Sequence, residues 1–217
     1  MITFAICVKL SKKHAMLLDK LKTYDVVLAS KSPRRQELLK GLGVDFRVCV
    51  SDEPEQLRPE WKPEETVVRL ARQKAGAVFR RLSVQACPKD ASPLMVIGGD
   101  TIVVVDGKVL GKPKDEADAH RMLRLLSGKT HTVFSGVCML TTDQCLADFA
   151  RSEVTFCQLP EADVDYYIRN CRPMDKAGAY GVQEWIGYRA ISEIQGSFYN
   201  VMGFPTHLFW RMLESLF

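Results

Sequence analysis

The sequence predicts an α/β protein with a mixed, twisted sheet and flanking helices, and three observations support this prediction. Short apolar runs typical of strands alternate with longer segments whose apolar residues recur at helical spacing. Capping residues precede the helical segments, with Ser32-Pro33 before one and Asp115 before another. Asp106-Gly107 between two apolar runs is typical of a hairpin turn. Strands and helices in this order favour a mixed sheet.

The elements are predicted as follows. Strands are expected at residues 25–30, 46–51, 94–99 continuing through 101–105, 131–140 and 149–158. Helices are expected at residues 33–41, 64–82, 115–127, 161–170 and 205–216. Residues 51–63 are expected to form a loop rich in Pro and Glu, and residues 188–202 a hairpin. Residues 1–24 are read as an N-terminal extension, and Met16 is a second candidate for the start of the chain.

Composition limits the class of protein. The 217 residues suit one large domain or two small ones, and 47% hydrophobic with 26% charged residues is typical of a globular protein. A net charge of +4 is too mild to indicate nucleic-acid binding, although it would not hinder the binding of a small polyanion. No apolar run approaches the ~20 residues of a membrane span. Residues 2–8 lack the flanking features of a signal peptide.

The cysteines indicate a reducing compartment. Seven are present, an odd number, and none forms a C-x-x-C pair. We expect them to be buried free thiols in a cytoplasmic protein. The four histidines are isolated from one another and from the cysteines in sequence, so a zinc site is not expected.

The segment Ser30-Lys31-Ser32-Pro33-Arg34-Arg35 is the strongest functional signal. Ser32 suits an N-cap and Pro33 a first helical position, which places both arginines in the opening turn, where the helix dipole disfavours cations. A bound phosphate would offset that cost. We therefore interpret the segment as a phosphate cradle that includes the Ser30 and Ser32 hydroxyls. The alternative is a capped surface helix with solvated arginines.

Asp100-Thr101 ends an apolar strand after two glycines, which allow another group to approach the backbone closely. A carboxylate there can orient a water molecule or hold a divalent metal, although aspartates also end strands for structural reasons. Lys74 borders the apolar stripe of its helix and can point into a cleft. On pattern alone, Lys112 is better explained as a charge that closes a strand edge.

Residues 173–183 form a loop of small residues with one acid, one base and an amide. Its glycines suit backbone contacts with a ligand, and Gln183 carries the paired donor and acceptor that can read a base edge. Tight structural packing is an equal alternative. No P-loop or dinucleotide-binding glycine motif is present.

Together these segments resemble the Maf nucleotide pyrophosphatases. The resemblance covers residues 25–217, read as a single domain, and its motifs are Ala29–Arg35, Gly99–Val103, Leu110–Pro113, Leu126–His131, Met174–Gln183 and Asn200–Pro205. It implies a mixed α/β fold with a cleft between two lobes, often dimeric. It also implies a cytoplasmic, house-cleaning enzyme that uses Mg²⁺ or Mn²⁺ to split nucleoside triphosphates into monophosphate and pyrophosphate.

The resemblance also assigns roles. Asp100 matches the proton acceptor, and Arg34, Thr101 and Gln183 match positions that set base preference, in the combination of the dTTP/UTP branch. Glu55 matches an acid near the metal, which Asp100 would share. Other cleft positions are matched by Ser30, Arg35, Lys74, Lys112 and Lys176.

This chain departs from the family pattern at three places: Gly99 in place of a commoner alanine, Gly111 in place of a glutamate, and Glu184-Trp185 after Gln183. A second hypothesis is a non-catalytic regulator of cell division that binds nucleotides or nucleic acid. The basic helix over residues 64–82 is its only support, and the low net charge argues against it.

Overall fold

The structure is a computed structural model that describes residues 12–51, 53–54, 58, 60–85 and 92–217. The helices are α1 (Lys12–Leu21), α2 (Pro33–Gly41), α3 (Pro63–Gln85), α4 (Glu116–Leu126), α5 (Glu161–Cys171), α6 (Trp185–Ala190), α7 (Phe198–Met202) and α8 (Thr206–Leu216). The strands are β1 (Asp25–Leu28), β2 (Arg47–Val48), β3 (Leu94–Val105), β4 (Lys108–Leu110), β5 (Thr130–Leu140), β6 (Cys145–Phe156) and β7 (Ile191–Gln195).

The strands of the described residues form one mixed sheet in the order β2-β1-β3-β5-β6-β7, and β4 pairs with β3. β1 pairs in parallel with β2 and with β3, whereas β3, β5, β6 and β7 pair antiparallel. The predicted α/β class with a mixed sheet and flanking helices is confirmed. No helix in the described part of the chain is long and apolar enough to cross a membrane.

β3 has an open stretch along one edge. β1 covers Leu94–Ile97 of that strand, and β4 pairs with Val103–Val105. In the described ladders, residues 98–102 have no strand partner on this side, because the chain leaves β1 and enters α2. Ligands commonly bind beyond the carboxyl ends of parallel strands, where such gaps open.

Helix α3 packs closely on one face of the sheet, across β3 and β5, because two glycines give it room. A Cβ atom at Gly98 would lie 2.2 Å from the Ala71 carbonyl oxygen, and one at Gly136 would lie 2.3 Å from the Val67 carbonyl oxygen. The helix backbone therefore contacts β3 and β5 directly. This close packing confirms that a glycine before Asp100 admits a neighbouring group.

Most predicted boundaries agree with the structure, but the hairpin over residues 188–202 is wrong. That segment contains the end of α6, then β7, then α7. β7 pairs with β6, so its partner lies far along the chain. Ser197 then caps α7 by accepting a hydrogen bond from Asn200 N, and Gly203 ends the helix at a φ of 111°.

Three smaller differences have local causes. β2 is shorter than predicted because Arg47 and Val48 alone form the ladder with β1. β6 starts earlier than predicted because Cys145 pairs with Leu140 across a tight turn. The glycine-rich loop contains a short 3₁₀ turn at Ala177–Ala179.

The N-terminal helix contributes to the main core, where Leu17 and Leu21 are buried. Residues 1–11 lie outside the described residues, so Met16 as the start of the chain stays a prediction. Cys7 and Cys87 also lie outside them, and five other cysteines are free thiols. The expectation that the cysteines are buried is wrong for Cys145 and Cys157, which are exposed at the two ends of β6.

Candidate active site

A cleft of about 790 Å³ opens at the uncovered edge of β3. One side, here called the sheet wall, is formed by the end of β1, by α2, α3 and β3; the other, the turn wall, is formed by residues 175–184. Every predicted site residue within the described part of the chain lines this cleft: Ser30, Arg34, Arg35, Lys74, Asp100, Thr101, Lys112, Lys176 and Gln183. Glu55 lies outside the described residues.

The turn from β1 into α2 has the predicted geometry. Ser32 is the N-cap of α2 and accepts a 3.5 Å hydrogen bond from Arg35 N, with Pro33 at the first helical position. The Ser30 hydroxyl accepts from Ser32 N at 3.3 Å. Both arginines therefore lie in the first turn of α2, as predicted.

Arg35 is a buried cation whose guanidinium group is fixed from three sides. Nε donates to the Gly203 carbonyl oxygen at 2.9 Å, Nη1 to Ser30 Oγ at 3.0 Å and Nη2 to Thr101 Oγ1 at 3.0 Å. Gly99 provides the room, because a Cβ there would lie 3.2 Å from Arg35 Nε. These neutral acceptors fix the orientation of Arg35 through three separate elements.

The Thr101 hydroxyl is the centre of this network. It accepts from Arg35, lies 2.9 Å from Ser135 Oγ and is 3.3 Å from the Gly203 carbonyl oxygen. Ser135 Oγ in turn donates to the Asn200 carbonyl oxygen at 3.1 Å. Helix α7 is thereby tied to β3 and β5, which places the Gly203 carbonyl at Arg35.

Asp100 and Lys74 form an ion pair on the opposite face of β3. Side chains alternate along a strand, so Asp100 faces α3 while Thr101 faces Arg35. Lys74 Nζ lies 2.5 Å from Asp100 Oδ1, and the two side chains are 24% and 11% exposed. Among the described residues, no hydrogen bond reaches Asp100 Oδ2. The structure thus supplies a nearly buried carboxylate with one oxygen held and one available.

Arg34 reaches across the cleft to the turn wall. Its Nη1 lies 2.7 Å from Asp175 Oδ2, and its Nη2 donates to the Asp175 carbonyl oxygen at 3.3 Å. Partial burial alone raises the pKa of Asp175, but hydrogen bonds from Lys176 and Arg34 outweigh it and lower the pKa to about 2. Asp175 is therefore an anion that holds one of the predicted substrate-binding cations.

Lys176 points away from bulk solvent. It is 7% exposed, and its Nζ lies 2.8 Å from Asp175 Oδ1 and 2.9 Å from Glu184 Oε1. Two carboxylates therefore hold this ammonium group. In the sequence, Asp175 is an acid of the 173–183 loop without a predicted role, and Glu184 is a departure from the family pattern.

The turn wall is anchored at Tyr180. Its hydroxyl lies 2.8 Å from His131 Nε2 on β5, and the rings of both residues also contact Phe156. Burial lowers the pKa of His131 to about 4 and raises the pKa of the Tyr180 hydroxyl. Gly178, at a φ of 70°, packs its backbone against Val103.

Gln183 presents an unsatisfied acceptor. Its Oε1 is buried and has no hydrogen-bond partner among the described residues. A buried acceptor without a donor costs ~1–3 kcal/mol, and a bound ligand with an N–H group would offset that cost. Lys112 lines the same cleft. The residue before it, Gly111, is held against the turn wall because its carbonyl oxygen accepts a hydrogen bond from Gly178 N at 3.0 Å.

For a divalent cation, the described part of the cleft offers the carboxylate oxygens of Asp100, and hard cations prefer such oxygens. Outside the cleft, His120, Glu161 and Asp165 bring ligand atoms within 4.8 Å of one another on α4 and α5. Arg124 pairs with Glu161 there, so this group is explained as a surface ion-pair cluster.

Comparison with known proteins agrees with this geometry. The family model described as Maf-like protein matches residues 25–216. A dTTP/UTP pyrophosphatase of Porphyromonas gingivalis is 46% identical over 199 residues, which cover 91% of this chain and 97% of that protein. Those of Phocaeicola vulgatus (44%, covering 92% and 100%) and Caldicellulosiruptor saccharolyticus (43%, covering 88% and 94%) are also similar. The chain therefore belongs to the Maf-like protein family.

Proposed function

We propose that this protein hydrolyses dTTP and UTP to the monophosphate and pyrophosphate, with residues 25–217 as the catalytic domain. One observation carries the proposal: Asp100, a nearly buried carboxylate, lies in the same cleft as Arg34, Arg35, Lys74 and Lys112. A triphosphate needs cations along its oxygens and an acid near the bond that breaks. The names of the similar proteins support the same reaction.

Asp100 is assigned the role of the group that orients and deprotonates the attacking water. Lys74 holds its Oδ1, so Oδ2 is the oxygen that can accept the proton. Arg34, Arg35, Lys74 and Lys112 neutralise the negative charge that develops on the leaving pyrophosphate. Arg35 is already oriented by its three hydrogen bonds, so its contribution requires little rearrangement.

Gln183 is assigned the recognition of the base. Uracil and thymine present an N–H donor beside a carbonyl acceptor, which is the complement of an amide side chain. The unpartnered Gln183 Oε1 would accept from that N–H group. The Thr101 hydroxyl is occupied within the protein, so Thr101 affects preference by holding Arg35.

A divalent cation, Mg²⁺ or Mn²⁺, belongs to the proposed reaction. Asp100 and Glu55 are the residues that would hold it, and its chemistry when bound is to neutralise phosphate charge and polarise the reacting phosphorus. The carboxylate of Asp100 suits such a cation because it is a hard oxygen ligand at the cleft.

Three further properties are proposed with the function. Free thiols support a cytoplasmic location. A house-cleaning role and a homodimeric assembly follow from the family resemblance. The alternative function, a regulator that binds nucleic acid through α3, has little support: Arg69 pairs with Glu65 and Arg80 with Glu53, so these charges are already compensated.

The test is pyrophosphate release by the purified chain over a panel of nucleoside triphosphates, with Mg²⁺ or Mn²⁺ and with a chelator. We expect dTTP and UTP to be the best substrates, stoichiometric monophosphate and pyrophosphate, and no turnover with chelator. Nucleotide binding without turnover under both metals would favour the regulator instead.

A further inference from the structure

A chain of alternating charges links the turn wall to α2. Along it, Arg34 pairs with Asp175, Asp175 with Lys176, and Lys176 with Glu184. Glu184 Oε2 also accepts a hydrogen bond from the Tyr167 hydroxyl, in the middle of the domain core. The cleft end of this chain is Arg34, and the interior end is Tyr167.

The Glu184 carboxylate also supports the turn that carries Gln183. The Tyr167 hydroxyl accepts from Gly181 N at 3.0 Å, and Glu184 N donates to the Gly181 carbonyl oxygen at 3.0 Å. A Cβ at Gly181 would lie 2.8 Å from Glu184 Cδ, so the carboxylate packs against the turn backbone. A single side chain therefore contacts the Gln183 turn and the ion pairs that lead to Arg34.

We propose that Glu184 is a positioning residue that fixes Arg34 and Gln183 together, and that Lys176 transmits its charge to Asp175 and contacts no phosphate. The proposal deepens the proposed function, on which it rests, by giving one cause for the alignment of two recognition residues from separate elements. A bound nucleotide then meets Arg34 and Gln183 at a fixed spacing.

The electrostatic consequence of neutralising Glu184 is specific. Lys176 is buried and lies between two carboxylates, so loss of one leaves Asp175 as its remaining anionic partner among the residues that the structure describes. Asp175 then turns toward Lys176 and away from Arg34. A glutamine keeps one acceptor oxygen for the two groups that now use the carboxylate, so either Lys176 or the Tyr167 hydroxyl loses its acceptor at position 184.

The experiment compares wild type with Glu184→Gln, which keeps the shape and removes the charge. KM for UTP is expected to rise about tenfold while kcat changes less than about threefold, and the preference for UTP over CTP is expected to fall. Exposed Glu193 on β7 provides the matched control, and Glu193→Gln should leave all three values unchanged. Tyr167→Phe, which removes one hydroxyl from the chain, should give a smaller change in the same direction.

A double-mutant cycle distinguishes a positioning role of Glu184 from a general stabilisation of the fold. In an Arg34→Ala background, Glu184→Gln should raise KM by clearly less than tenfold, because the part of its effect that acts through Arg34 is already gone, whereas the part that acts through Gln183 remains. Full additivity of the two substitutions, or a lower unfolding temperature with unchanged KM and unchanged preference, would overturn the proposal.

A crystal structure of Glu184→Gln is a readout independent of activity. The Arg34–Asp175 distance should exceed its present 2.7 Å, and an unchanged pair would also overturn the proposal. Inactive wild type, by contrast, would contradict the proposed function itself.

Discussion

On the sheet wall, Arg35 is held by two hydroxyls and a carbonyl, whereas on the turn wall the cation Lys176 is held by two carboxylates. The hydrogen bonds to Ser30, Thr101 and the Gly203 carbonyl oxygen fix the orientation of the Arg35 guanidinium group in the cleft. Each wall also has an ion pair that compensates charge: Lys74 with Asp100 on the sheet wall, and Lys176 with Asp175 and Glu184 on the turn wall. The two walls therefore differ in how a buried cation is held: hydroxyl and carbonyl oxygens orient the guanidinium group of Arg35, whereas carboxylates enclose the ammonium group of Lys176.

The largest effect is expected from substitution of Asp100 on the sheet wall. Asp100→Asn should lower kcat by roughly 10²–10⁴-fold, because an amide cannot accept the proton of the attacking water. The matched control is Asp106→Asn, an exposed aspartate at the end of the same strand with a φ of 49°, which asparagine tolerates. Rates measured by pyrophosphate release should be normal for the control; a similar loss in both variants would remove the assigned role.

Arg35→Lys tests the fixed orientation on the same wall. An ammonium group cannot replace the three-sided set of donors, so kcat/KM should fall roughly 10–100-fold and unfolding free energy by about 1–3 kcal/mol. Exposed Arg121, paired with Asp118 on α4, gives the control Arg121→Lys, with a change below about 0.5 kcal/mol. Urea unfolding and steady-state kinetics measure both effects. Retained kcat/KM in Arg35→Lys would show that charge alone suffices there.

Gln183→Met sharpens the role of the turn wall, since it keeps the volume and removes the unpartnered acceptor. Preference for UTP over CTP, whose base has an acceptor and an amino donor in place of the N–H and carbonyl, should fall about tenfold or more, while unfolding free energy should stay the same or rise. Kinetics on both nucleotides and thermal unfolding provide the measurements. An unchanged preference would exclude Gln183 from base recognition.

The last prediction concerns the pH dependence of stability at the anchor of the turn wall. Because burial lowers the His131 pKa to about 4 from 6.5, the unfolded chain binds more protons between these pH values. The free energy of unfolding therefore loses nothing from His131 above pH 6.5, and this residue lowers it by about 3 kcal/mol as the pH drops toward 4. His131→Gln should reduce this fall in the free energy of unfolding, measured by chemical unfolding between pH 6.5 and 4. Substitution of exposed His207 by Gln should alter it less. An identical fall in His131→Gln would assign it to other groups.

The sequence predicted the local structure around the site well. Ser32 and Pro33 gave the start of α2, and Gly98 the close approach of α3, because capping and close packing depend on a few adjacent residues. The hairpin over 188–202 failed because β7 pairs with β6, a partner about 40 residues earlier in the chain. The ion pair between Arg34 and Asp175, which are 141 residues apart, was not predicted either, because a contact between distant residues leaves no local periodicity in the sequence.

The sequence by itself determined the fold class, the motifs and the residue types that line the cleft, since periodicity and capping are local properties. The tertiary structure alone decided which charges are paired. It placed Lys74 against Asp100, gave Arg35 neutral acceptors and enclosed Lys176 between Asp175 and Glu184. The physical reason is that an ion pair depends on distance and burial in space, and both are set by the crossing of β3, α3 and the 175–184 turn.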